Sequence, residues 1–210
     1  GRTRPAGTRR ERQHERIDCG PDDLLITAGA NHAFTTVMTT VASAGDEIVL
    51  PSPYFTNHQM AIQAAGVIAI EAPVADRESY RVTWDDIAPA LTERTRAVVL
   101  CNPSNPTGAP INETDGVRIA QELAERNILL ISDETYMHFV YGDRHWSAAS
   151  VAGWRRHVIV IGTFSKSFAM MGWRVGFMLA DAAVCAQATK VQDAMIICGP
   201  TISQMGAEAA

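Results

Sequence analysis

Short runs rich in valine and isoleucine recur along the 210-residue chain, separated by stretches that suit helices. The runs are Leu24–Thr27, Glu47–Leu50, Val67–Ile70, Ala97–Cys101, Ile128–Ser132, Val158–Ile161 and Val175–Leu179. Several are apolar without alternation, the pattern of strands covered on both faces in a parallel sheet. Between them, Asn31–Ser43, roughly Asn57–Ala65, a segment beginning at Trp84 and Glu113–Arg126 suit helices. The last is the best marked: Asn112 can cap it, Glu113 and Asp115 suit its positive end, and Val117, Ala120, Leu123 and Ala124 make an apolar stripe. From Asp181 to Ala210 the chain turns alanine-rich and helical, with no further strand and a stop in mid-pattern. Strands alternating with helices predict an α/β, doubly wound domain that binds its ligand at the carboxyl ends of the strands.

Composition removes the other classes. At 47% hydrophobic residues the chain can bury a core and is not disordered. No apolar run approaches the ~18 residues of a membrane span. Residues 1–16 hold six arginines against Glu11 and Glu15, while the whole chain carries −5. A basic arm can meet nucleic acid or an anionic membrane, but the acidic remainder argues against nucleic acid as the main partner, and a solvated lead-in is expected, with neither nucleic acid nor membrane as partner. The cysteines (19, 101, 185 and 198) form no CxxC pair, and the histidines (14, 32, 58, 138, 145 and 157) show no ligand spacing. No metal site is therefore expected, and each histidine reads as a surface or structural residue. Scattered cysteines without a secretion signal predict a reduced, cytoplasmic setting.

Chemistry is sought where strands end. Thr27-Ala28-Gly29-Ala30-Asn31 is a small-residue turn onto a helix, whose first amides at Ala30 and Asn31 suit a phosphate. Tyr54 and Phe55 follow the second strand, either as core or as a stacking surface. Cys101-Asn102-Pro103-Ser104-Asn105-Pro106-Thr107-Gly108 places two rigid asparagine amides at the sheet's end. Asp133 closes a buried strand, where an unpaired carboxylate is costly, so it needs a cationic or N–H partner; Tyr136 can turn into the same cleft. The sixth strand leads into Thr163-Phe164-Ser165-Lys166, then Gly172-Trp173-Arg174-Val175-Gly176. Only Lys166 and Lys190 are lysines among 18 basic residues. A lysine desolvated near another cation has a lowered pKa and forms Schiff bases, which Lys166 fits; Lys190, in the helical tail, reads as a surface residue. An Asp, a Lys, a Tyr, an Asn, a phosphate-type helix start, an Arg and an aromatic at one sheet edge are together what pyridoxal phosphate requires.

On the four ordered motifs Asn102–Gly108, Asp133–Tyr136, Thr163–Lys166 and Gly172–Gly176, the sequence resembles the class I/II aminotransferases, pyridoxal phosphate enzymes of fold type I, from about Leu24 onward. The resemblance implies a three-layer, seven-stranded, mostly parallel sheet flanked by helices. It makes Lys166 the Schiff-base lysine and proton shuttle, pairs Asp133 with the pyridine nitrogen, and puts Asn105 and Tyr136 on the phenolic oxygen. Phe55 would stack on the ring, with Ala30, Asn31, Thr163, Ser165 and Arg174 around the phosphate. The implied reaction moves an amino group from an amino acid to a 2-oxo acid in a homodimer. The same resemblance leaves open a β/γ-elimination lyase, such as a carbon–sulfur lyase or aminocyclopropane-carboxylate synthase, and the effector domain of a winged-helix regulator. It also implies a fragment: residues 1–20 a basic remnant of the N-terminal segment, 21–210 the cofactor-binding large domain, and the C-terminal small domain, with its carboxylate-clamping arginine, outside the chain.

Overall fold

A computed structural model describes residues 17–142 and 144–210; the arginine-rich arm at 1–16 lies outside the described residues. Strands β1 (Leu24–Thr27), β2 (Glu47–Ser52), β3 (Ile68–Pro73), β4 (Thr95–Cys101), β5 (Leu129–Asp133), β6 (Val158–Thr163) and β7 (Gly176–Leu179) form one sheet in the order β1-β7-β6-β5-β4-β2-β3. Only β7 runs against its neighbours β1 and β6; the other pairings are parallel. The helices are α1 (Ala30–Val41), α2 (Thr56–Ala64), α3 (Trp84–Ile87), α4 (Glu113–Glu125), α5 (Ala182–Ile196) and α6 (Thr201–Ala209).

Apolar strands bury both faces here, so each contributes to two cores by alternation. Leu24, Val98, Leu100, Leu130, Val158, Val160 and Leu179 pack beneath α3 and α4, against Trp84, Ile119 and Leu123. Leu25, Ile48, Val99, Ile131, Ile159, Ile161 and Met178 pack on the opposite face, against Phe34, Val37 and Met38 of α1, Ile62 of α2 and Ala188 of α5. The expected three-layer α/β architecture is thus observed. Among the described residues no helix is long and apolar enough to cross a membrane.

Three local expectations change. The third strand is not buried on both faces: β3 is an edge strand that pairs with β2 alone, and Ile68 is 41% exposed. The helix begun at Trp84 lasts four residues and passes into a 3-10 turn, because Pro89 lacks the amide that would extend it. The helical tail is broken between α5 and α6, where Ile197 takes a positive φ of 65° and Pro200 follows.

Candidate active site

Register brings the strand ends together. Thr27 and Thr163 flank Gly176 across β1, β7 and β6, while Cys101 lies beside Asp133, itself beside Ile161. The turns leaving these strands enclose a cavity of about 330 Å³. Ala30, Asn31, Phe55, Asn105, Asp133, Tyr136, Thr163, Ser165, Lys166 and Arg174 all line it, so the residues that the family resemblance assigns to the cofactor meet in one place. Tyr54 does not line this cavity; it packs against the core beneath α1 and α2.

At one wall lies the start of α1. Gly29 precedes it with φ 87° and ψ 172°, a conformation open essentially to glycine. A Cβ there would fall 2.5 Å from Nη2 of Arg174. One at Gly176 would fall 2.9 Å from the Ala30 nitrogen. These glycines keep the helix start bare and let the guanidinium approach it. Arg174 donates to the Met171 carbonyl at 2.8 Å and to the Ala28 carbonyl at 3.5 Å, leaving it beside the unsatisfied first amides of α1. Thr163 Oγ1, 2.9 Å from both the Val175 carbonyl and Ser165 Oγ, accepts from the Ser165 amide at 3.1 Å and braces the turn that carries Lys166.

At the other wall Asp133 is 5% exposed. Its Oδ1 accepts from the Thr135 amide at 3.0 Å, and its Oδ2 accepts from His58 Nε2 at 2.9 Å. Burial alone would push this carboxyl up, but the hydrogen bond and charge of His58 and the Thr135 bond outweigh it and hold the pKa below the ordinary carboxylate value. Burial, with the Asp133 charge added, pushes the Cys101 thiol up, so the sulfur stays protonated beside the carboxylate. Asn102 is wholly structural: its amide bridges the Trp146 carbonyl and the Ile111 amide, leaving Asn105 as the asparagine of that loop that reaches the cavity.

One expectation fails in its physical detail. Lys166 is exposed rather than desolvated, with Nζ 5.7 Å from the centre of the Tyr136 ring, because its turn opens toward the cavity mouth. Cys101, Thr135 and Met171 also line the cavity, and the strand-end rule would have found the first two. His58, which reads in the sequence as a surface or structural histidine, carries one local signal there, its place one helical turn after Phe55.

The sequence model of aminotransferase class I and II matches residues 7–210. The chain belongs to this family. Among its relatives, an aspartate aminotransferase of Pyrococcus abyssi is 33% identical to this chain over 198 residues, covering 93% of the chain and 51% of the relative. A probable N-acetyl-LL-diaminopimelate aminotransferase of Bacillus subtilis is 35% identical over 187 residues, 88% of the chain and 46% of the relative. The solved aromatic aminotransferase of Pyrococcus horikoshii superposes with a TM-score of 0.94 at 33% identity, over 99% of this chain and 56% of that one. The chain therefore spans about half the length of these relatives.

Proposed function

We propose that residues 21–210 are the cofactor-binding domain of a pyridoxal phosphate-dependent aminotransferase that moves an amino group from an amino acid to a 2-oxo acid. The observation that carries this reading is the pairing, in one cavity, of a buried anionic carboxylate, Asp133, with a lysine, Lys166. The residues suit the cofactor. The glycine cradle beside Arg174 and the start of α1 matches a phosphate, and about 330 Å³ is within the usual range for a small-molecule site. Bound there, pyridoxal phosphate supplies an aldehyde and a ring that accepts electrons from the substrate's Cα.

The chain's own residues then have separate tasks. Lys166 holds the cofactor covalently and afterwards moves the proton at the substrate Cα. Asp133, kept anionic, holds a proton on the pyridine nitrogen. Asn105 and Tyr136 donate to the phenolic oxygen, and Phe55 covers a ring face. Ala30, Asn31, Thr163, Ser165 and Arg174 hold the phosphate. Cytoplasmic residence accords with the free thiols of Cys101 and Cys198. A homodimer accords with the apolar side chains exposed near the cavity mouth, Met171 and Trp173, and on α6, Ile202 and Met205.

The decisive experiment is borohydride reduction after incubation with pyridoxal phosphate. The cofactor should become fixed to Lys166, as read by peptide mass. Lys166→Ala should abolish the adduct and Lys190→Ala should leave it; an adduct retained in Lys166→Ala refutes the assignment. Asp133→Asn should keep the adduct yet slow proton removal from an added amino acid by about a hundredfold or more, followed by the bound cofactor's visible absorbance.

A further inference from the structure

Helix α1 opens on the anion end of the cavity with no side chain at its cap. Gly29 is the N-cap residue and brings no oxygen to the first turn, so the amides of Ala30 and Asn31 stay open to an anion. His32, three residues on, reaches backwards instead: its Nδ1 accepts from the Ala28 amide at 3.2 Å. We propose that His32 is a positioning residue for the phosphate, whose neutral imidazole tethers the Ala28–Gly29 turn from behind and so fixes the first amides of α1 and Arg174 without occupying them. The inference rests on the cofactor reading above.

The physical case begins with the amide. Ala28 lies one residue past Thr27, the last residue of β1 paired with β7, so its N–H falls beyond the ladder. An ordinary cap side chain would tether this turn by accepting from the second or third amide of the helix, the donors an anion needs. An acceptor at the third helical position that reaches back past the cap ties the turn and leaves those donors free, much as one half of a capping box does. The tautomer follows from the geometry. Because Nδ1 accepts, Nε2 carries the proton, and it faces Oγ1 of the wholly buried Thr36 at 3.5 Å, one turn along. Burial lowers the pKa of His32, which keeps Nδ1 an acceptor at neutral pH. Ala28 is then held by both its main-chain groups: the N–H goes to His32, and the carbonyl accepts from Nη2 of Arg174 at 3.5 Å. Thr27 Oγ1 donates to the Gly29 carbonyl at 3.0 Å and closes the turn. Losing the tether therefore frees the start of α1 and the seat of the guanidinium together.

Two substitutions separate a tether from bulk. His32→Leu keeps an apolar side chain of similar reach and removes the acceptor. His32→Gln keeps an acceptor, since glutamine at the third helical position is a usual back-reaching residue. In a fluorescence titration His32→Leu should bind pyridoxal phosphate about tenfold more weakly, the effect of one neutral hydrogen bond, and His32→Gln within about twofold of the wild type. Pyridoxal keeps the aldehyde and the ring but lacks the phosphate; fixed by borohydride, it should label all three chains alike. In the ligand-free chain, deuterium exchange at the Ala28 amide should be about tenfold faster in His32→Leu and unchanged in His32→Gln.

Wild-type affinity for pyridoxal phosphate in His32→Leu, or a loss that His32→Gln does not restore, would overturn the proposal. So would an equal loss of labelling by pyridoxal, which would mark His32 as a residue of general stability. If His32→Leu does not fold, His32→Ala, which removes the acceptor with the best helix former, takes its place in the same measurements. A wild-type chain that takes up neither pyridoxal phosphate nor pyridoxal overturns the cofactor reading itself, and is told apart because exchange at Ala28 is read without cofactor.

Discussion

Gly29 and Arg174 show how narrowly the anion end of the cavity is specified. Gly29 sits in a backbone region that a side chain strains by roughly 1–3 kcal/mol, and its missing Cβ is the space the guanidinium occupies. Gly29→Ala should therefore lower stability by about that amount in urea and weaken pyridoxal phosphate by tenfold or more in a fluorescence titration. A substitution that is stable and binds normally would show that the close approach is incidental. Lys166 was legible because lysine is scarce in this sequence and because a strand end supplies context. His58 was not legible, since its partner Asp133 lies 75 positions away and nothing local marks a histidine as one half of a buried pair.

The helices and strands were legible to differing degrees, for reasons that follow from their ends. Helix α4 begins as expected: Asn112 Oδ1 accepts from the Asp115 amide at 2.9 Å, and its Nδ2 donates to the Asp115 carboxylate at 2.6 Å. Arg81 reaches the same carboxylate with Nε at 2.5 Å and Nη2 at 2.9 Å, from 34 positions away. Asn112→Ala should cost about 1 kcal/mol in urea unfolding, the ordinary worth of such a cap. Strand β3 carries the same valine and isoleucine content as the covered strands, because that content describes strand propensity, whereas coverage depends on where the strand lies in the sheet. Its position at the sheet edge leaves one side open.

At the scale of the molecule, the carboxylates that join distant elements set the response to acid. Asp133 is held low, against its burial, by His58 and Thr135; Asp115 is held low first by the hydrogen bond of Arg81, with Asn112 assisting. Both stabilise the fold above the unfolded carboxylate pKa of 3.8, and that contribution is lost as pH falls toward their depressed folded values. Unfolding free energy should thus decline steadily below about pH 5, and Asp115→Asn should flatten part of that decline. The sequence by itself determined the α/β class, the number of strands and the residues that gather at the strand ends. Those follow from local periodicity and from the rule that turns leaving parallel strands share one edge. Only the tertiary structure decided the strand order, the exposed flank of β3, the openness of Lys166 and the pairing of His58 with Asp133. Each of these depends on which distant segments become neighbours, and local patterning carries no record of its neighbour.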